Sequence, residues 1–148
     1  MSMQREDYVL RMIAQMGLVL ARVRRLLLEG KNAEAGRDLE HAALKGGVDL
    51  SLVIALDEPS LRPLLFTAGE LDRPKCAFFG EVVYLEWRRQ YAMGHAERAE
   101  RCARRALLLF ALAYEGIVMD DDTRQRIAEL QTGSPADAAS MPTVIDDA

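Results

Sequence analysis

The sequence predicts an all-α protein of five to seven helices, arranged as antiparallel hairpins. Apolar residues recur at three- and four-residue spacings through most of the chain, which is typical of amphipathic helices. One longer pattern also occurs twice. Gly30 and Gly94 are each followed by small or apolar residues at offsets of 5, 9 and 12. Two similar helical hairpins, whose glycines are 64 residues apart, are therefore expected.

The N-terminal hairpin is predicted from two consecutive segments. Residues 5–29 form a long helix with a continuous apolar stripe, and Gly30 ends it because glycine readily adopts the left-handed conformation of a helix C-terminus. Residues 33–44 form the second helix. Its inward residues are small enough to allow a close approach to the first helix, and they are Ala35, Leu39, Ala42 and Ala43.

The middle of the chain is less regular. Asp49 is placed to cap a short helix that continues to Leu56. A strand from Leu50 to Leu56 is the alternative, which we disfavour because no partner strand is visible. Residues 57–60 predict another helix start, with a proline in its first turn.

The second hairpin begins at Asp72, where an aspartate two residues before a proline indicates a helix N-terminus. This helix is expected to run to Met93, and Gly94 ends it. Its inward candidates are Phe78, Val82, Leu85 and Tyr91. Residues 95–115 form the partner helix, which carries small and apolar residues on one side.

The C-terminal part is predicted to contain one further helix, capped by Asp122 and ending at Leu130. We expect a single helical domain over residues 1–131 and a disordered acidic tail over residues 132–148, which is rich in Gly, Ser, Pro, Ala and Asp.

The charge pattern narrows the classes of function. The net charge is −4, but residues 120–148 hold seven acids and two arginines, so they carry −5 and the remainder about +1. A near-neutral body with an acidic end does not suggest a nucleic-acid partner. The sequence has no run of 18 apolar residues and no apolar segment near its acidic start, so we expect neither a membrane span nor a secretory signal. The expected location is the cytoplasm.

Residues that carry chemistry are few. Cys76 and Cys102 predict two buried thiols, and with His41 and His95 they lack the spacing of a zinc site. Residues 120–122 are three aspartates, which favour a helix N-terminus and lack the rest of a calcium loop. We expect no enzymatic activity, no metal and no cofactor.

The repeated Gly-x4-Ala-x6-Ala spacing resembles the tetratricopeptide repeat. In that family a glycine ends the first helix of each hairpin, and small residues on the second helix admit the first. The repeat period is about 34 residues, so the resemblance implies a degenerate middle hairpin over residues 48–67 and a fragment of a right-handed superhelix. Residues 7–13, 48–50 and 103–107 also resemble an uncharacterised bacterial family with tetratricopeptide-like helices.

The same resemblance implies a peptide-binding surface, because the first helix of each hairpin lines the concave face in that family. The candidates share one helix stripe at spacings of 3, 4 and 3, and they are Glu81, Tyr84, Arg88 and Tyr91.

An arginine-rich stretch provides a second candidate surface, with Arg98, Arg101 and Arg105 as its partner-binding residues. The simpler interpretation is a solvated helix face stabilised by the i,i+4 pairs Glu97–Arg101 and Glu100–Arg104.

The leading hypothesis is therefore a non-enzymatic module that binds an unknown protein or peptide through a helix-lined groove. The arginine-rich surface would receive an acidic segment, and the acidic tail of the same chain is one candidate. The alternatives are a homodimer assembled through the long N-terminal helix, whose stripe is nearly heptad, and a small enzyme or ligand-binding regulator with an unrecognised site.

Overall fold

The computed structural model describes the backbone of residues 2–136 and the side chains of residues 11 and 14–136. Over this range the protein is all-α, as predicted, with seven α-helices, one 3-10 helix and one two-stranded hairpin. In chain order the elements are α1 Ser2–Leu28, α2 Asn32–Lys45, α3 Leu50–Ala55, α4 Glu58–Leu61, the 3-10 helix Arg62–Leu65, β1 Phe66–Thr67, β2 Glu70–Leu71, α5 Arg73–Ala92, α6 Ala96–Tyr114 and α7 Asp121–Thr132.

The two predicted hairpins, α1–α2 and α5–α6, close in the same way. Gly30 and Gly94 have φ angles of 76° and 78°, a conformation that glycine adopts without strain. In each turn the next amide bonds back into the preceding helix: Lys31 N lies 2.8 Å from Leu26 O, and His95 N lies 3.0 Å from Gln90 O. The repeated glycine therefore ends both first helices through one C-terminal motif.

The core surrounds α5, which is buried on more than one side. Trp87, Phe79 and Leu85 are each 1% exposed or less. The small residues predicted on the second helix of each hairpin are buried as well, among them Ala35 and Ala106. Helices α5 and α6 approach closely at Gly80, where an added Cβ would lie 2.8 Å from Cε1 of Phe110. Because Gly80 has no side chain, the backbone of α5 packs directly against the ring of Phe110 on α6.

The apolar stripe of α1 is used inside the chain over its described part. Met16, Leu20, Val23 and Leu27 are buried in the same core as α2 and α5. The earlier members of the predicted stripe lie outside the described side chains. The part of the stripe from residue 16 onward therefore packs within one chain. Within residues 2–136, no helix has the length and apolar character required to cross a membrane.

One local assignment from the sequence was wrong, and one short element was not predicted. Residues 50–55 are helical, and Asp49 caps them by accepting a hydrogen bond from Ser51 N at 2.9 Å, as predicted. A short hairpin is nevertheless present, because β1 and β2 pair across a turn at Ala68 and Gly69, both with positive φ. The cap of α7 is Asp120, not Asp122, since Asp120 Oδ1 accepts from Thr123 N at 3.0 Å.

The predicted domain end is also displaced. Residues 132–136 were assigned to the tail, but Thr132 is the last residue of α7 and Pro135 is buried. Ala136 N donates to Glu129 Oε2 at 2.7 Å, which ties this segment to α7. The remaining residues of the predicted tail, 137–148, lie outside the described part of the chain.

Candidate functional site

The predicted peptide-binding stripe of α5 lies against α7. Tyr84, at its centre, is only 4% exposed. Its hydroxyl donates to Glu129 of α7, and Arg88 Nη1 donates to the same hydroxyl oxygen at 3.0 Å. Arg88 is also 4.0 Å from the Glu129 carboxylate. Burial and the bond to Glu129 raise the pKa of Tyr84 to about 12, so the phenol stays protonated at neutral pH.

Glu81, at the N-terminal end of the same α5 stripe, is held by two arginines. Its carboxylate lies 2.8 Å from Arg126 of α7 and 3.3 Å from Arg24 of α1. Burial raises the pKa of Glu81, although both arginines oppose that shift. Three of the four predicted residues therefore contact α7, which covers the face that the resemblance assigned to a peptide.

Tyr91 and Arg105 have different surroundings from those expected. Tyr91 was predicted to face inward, but it is 38% exposed, and its hydroxyl lies 3.3 Å from Ser134 Oγ. Arg105 donates to the carbonyl oxygens of Val53 and Leu56 at 2.8 and 2.5 Å. Arg105 thus satisfies carbonyls at the C-terminal end of α3, which have no partner within that helix.

Arg98 and Arg101 line a groove on the opposite side of α5. The groove has a volume of about 370 Å³, which is within the range of ligand-binding clefts. Four helices contribute to this arginine groove, and its lining residues are Ala33, Gly36, Arg37 and Glu40 of α2, Leu50, Ser51, Ile54 and Ala55 of α3, Glu86, Arg89 and Gln90 of α5, and Arg98, Arg101 and Cys102 of α6. With four arginines and two glutamates, its formal charge is +2.

Three of these arginines are available to a ligand. In the part of the chain that the structure describes, the guanidinium groups of Arg37, Arg98 and Arg101 make no hydrogen bond or ion pair. The pair Glu100–Arg104 is formed at 2.7 Å on the exposed side of α6, as predicted, whereas the predicted pair between Glu97 and Arg101 is not formed. Unpaired cations on α2 and α6 therefore stand on two sides of one groove.

The floor of the groove is a fixed polar network. Arg89 binds Glu86 through two hydrogen bonds of 2.8 and 3.0 Å, and Gln90 Nε2 donates to Glu86 at 2.7 Å. Gln90 Oε1 in turn lies 2.8 Å from His95 Nδ1. Burial disfavours the charge of Arg89, but Glu86 outweighs that effect and holds the pKa of Arg89 above its ordinary value. The floor is therefore an ion pair whose geometry is set before any ligand binds.

Gly36 allows this arrangement. An added Cβ at position 36 would lie 2.8 Å from Cζ of Arg89, so the guanidinium rests directly on the backbone of α2. Arg89 Nη1 also lies 3.4 Å from the carbonyl oxygen of Asn32 at the start of that helix. A glycine in a helix interior is usually unfavourable, and here it makes room for a cation.

The thiol and the carboxylate in the lining of the groove are both held by their surroundings. Burial raises the pKa of Cys102 to about 12, so the nucleophilic thiolate is scarce at neutral pH. Glu86 is held by Arg89 and Gln90. Among the described residues, no three His, Cys, Asp or Glu side chains are grouped so as to hold a metal ion.

Some residues of the groove are absent from the predicted site. Gly36, Arg37 and Arg89 come from helices that sequence spacing does not relate to one another. One usable signal was present, because Gly36 lies inside a helix pattern, where glycine costs about 1 kcal/mol relative to alanine.

Comparison with known proteins found no family model, no curated protein and no solved structure that matches this chain.

Proposed function

We propose that this chain is a non-enzymatic interaction module that binds an acidic protein segment in the arginine groove. The observation that supports the proposal best is the convergence of Arg37, Arg98 and Arg101, three cations without an ion-pair partner in the described chain, on one cleft. The repeated hairpin spacing and its likeness to tetratricopeptide helices support the same class of function. In this proposal the bound face is the α2–α3–α6 side of α5, and not the stripe that α7 covers.

The lining suggests what such a segment contains. Leu50, Ile54 and Ala55 give α3 an apolar wall, whereas the cations stand on α2 and α6. A peptide that presents carboxylates beside an apolar side chain satisfies both surfaces. Nucleic acid fits less well, because Glu40 and Glu86 add negative charge to the same cleft and the groove carries only two net positive charges.

A fluorescence anisotropy titration tests this function. The probe is a fluorescein-labelled peptide that alternates aspartate with leucine, and its control has lysine in place of aspartate. The protein is the full chain with Asp146→Asn and Asp147→Asn, so that its own acidic segment does not compete for the probe. Arg98→Ala with Arg101→Ala removes two charge-assisted contacts of about 1 kcal/mol each, and we expect about a tenfold or greater loss of affinity.

Arg104→Ala is the control for this titration. It removes one positive charge from the same helix, whereas the groove variant removes two, and Arg104 is 73% exposed and pairs with Glu100 away from the groove. Its affinity for the probe should be unchanged. Equal losses in Arg104→Ala and in the groove variant, or equal binding of the lysine peptide, would contradict the proposed function.

A further inference from the structure

The arginine groove sets two requirements for its occupant. Negative charges must reach the unpaired guanidinium groups of Arg98 and Arg101, and apolar side chains must cover the wall that Ile54 and Ala55 of α3 present to the groove. An isolated phosphate or a uniformly acidic run satisfies only the first requirement. The best occupant combines two carboxylates with adjacent branched apolar residues.

One segment of the chain itself has this composition. Val144 and Ile145 are followed directly by Asp146 and Asp147. Residues 137–148, which lie outside the described part of the chain, carry three acids and no lysine or arginine. Their charge is therefore opposite to the +2 of the groove.

The described chain ends close enough for this segment to reach the groove. Ser134 Oγ is 3.3 Å from the hydroxyl of Tyr91, and Gln90, the preceding residue of α5, lines the groove. A helix with its side chains is about 10–12 Å across, so a path around the end of α5 is on the order of 20 Å. The eight residues from 137 to 144 span up to about 26 Å when extended.

We propose that residues 144–147 occupy the arginine groove of their own chain and compete there with an external acidic partner. Asp146 and Asp147 bind the guanidinium groups on α6, and Val144 and Ile145 pack on α3. This inference rests on the proposed function of the groove. It adds regulation of that function, because an external partner can bind in the groove only after it has displaced residues 144–147.

The expected size of the effect follows from tethering. A short linker gives a tethered segment an effective concentration on the order of 1 mM. If the segment alone binds with a Kd of about 0.1 mM, the groove is occupied about ten times more often than it is free. An external peptide should then bind about tenfold more weakly to the wild-type chain than to a chain whose segment is disabled.

Anisotropy titration of the same aspartate–leucine probe tests this inference on full chains. Asp146→Asn with Asp147→Asn should increase probe affinity about tenfold over the wild type, and Val144→Ser with Ile145→Ser should also increase it. The charge-matched control is Glu70→Gln with Glu115→Gln, which removes two acids from exposed sites elsewhere. That control should leave the affinity at the wild-type value.

The outcomes separate the two proposals. If the Asp146→Asn/Asp147→Asn chain binds the probe through Arg98 and Arg101 and the wild type binds equally well, the inference is overturned and the proposed function stands. If neither chain shows binding that depends on these arginines, the proposed function itself is overturned. If the control raises the affinity for the probe as much as the aspartate variant does, the effect comes from general repulsion between the acidic protein and the acidic probe, and the inference is overturned.

A second measurement tests whether the contact is within one chain. A nitroxide on Ala148→Cys should broaden the amide signals of Ser51 and Ile54, and the broadening should persist when the protein is diluted. Labelling is selective, because burial raises the pKa of Cys76 to about 11 and that of Cys102 to about 12. Broadening that survives Arg98→Ala with Arg101→Ala, or that is absent from the outset, would overturn the inference.

Discussion

Gly80→Ala is a sensitive test of how closely α5 and α6 pack. Replacing glycine by alanine in a helix interior ordinarily stabilises the helix by about 1 kcal/mol. At position 80, however, the new Cβ would lie 2.8 Å from Cε1 and 2.9 Å from Cδ1 of Phe110. Phe110 is 1% exposed, so any shift of its ring takes place inside the core. Overpacking costs about 1–3 kcal/mol, which leaves a net loss of about 1 kcal/mol in the free energy of unfolding.

Gly17→Ala is the matched control, because Gly17 lies inside α1 and a Cβ there would meet nothing within 4 Å. We expect Gly17→Ala to stabilise the protein by about 1 kcal/mol, so the two variants differ by about 2 kcal/mol. For a chain of this size the melting temperatures should then differ by about 4–8 °C. Urea unfolding followed by the fluorescence of Trp87, the single tryptophan and 1% exposed, measures both variants.

A double-mutant cycle identifies the cause. Phe110→Leu shortens the side chain that blocks position 80, so in that background Gly80→Ala should become neutral or stabilising. The reasoning is refuted if Gly80→Ala stabilises the wild-type protein as much as Gly17→Ala does. It is also refuted if the cost of Gly80→Ala is the same with phenylalanine and with leucine at position 110.

Four further predictions concern the buried polar and thiol groups. Tyr84→Phe removes a donor from a buried carboxylate and should lower the unfolding free energy by about 1–3 kcal/mol, whereas the exposed Tyr91→Phe should change it by less than about 0.5 kcal/mol. Because the pKa of Tyr84 is about 12 in the fold against 10.0 ordinarily, stability should fall as the pH rises from 10 to 12, and less so in Tyr84→Phe. Arg105→Ala leaves two carbonyl oxygens at the end of α3 without donors, and urea denaturation should show a loss of about 1–3 kcal/mol. Cys76 and Cys102 should react with a disulfide reagent only as fast as the protein unfolds, and rapid labelling of the native protein would contradict their burial.

Local signals in the sequence predicted most of the helices. The two hairpins were predictable because Gly30 and Gly94 act on their own turns and because the small residues that follow them repeat at fixed offsets. The cap of α7 was assigned to the wrong aspartate. Three consecutive carboxylates offer the same chemistry, and only the helix register decides that Asp120 faces the amide of Thr123.

The surroundings of a helix face were not predictable in the same way. Periodicity places Glu81, Tyr84 and Arg88 on one stripe, but it does not say which element covers them. The covering residues, Arg126 and Glu129, are 41 to 45 positions away from their partners along the chain. The sequence around them would equally suit a helix that faces solvent. Of the cations in the arginine groove, Arg98 and Arg101 were among the predicted candidates, whereas Arg37 and Arg89 were missed because they belong to other helices.

Gly36 has a consequence for how this sequence would vary. Alanine at position 36 would favour α2 by about 1 kcal/mol and would at the same time push the guanidinium of Arg89 away from its place beside Glu86. Under the proposed function, the helix propensity of α2 and the binding geometry of the groove therefore act in opposite directions at this position. Among descendants of this chain, those that bind a ligand in the groove should then retain both Gly36 and Arg89, and those that do not should lose the two together.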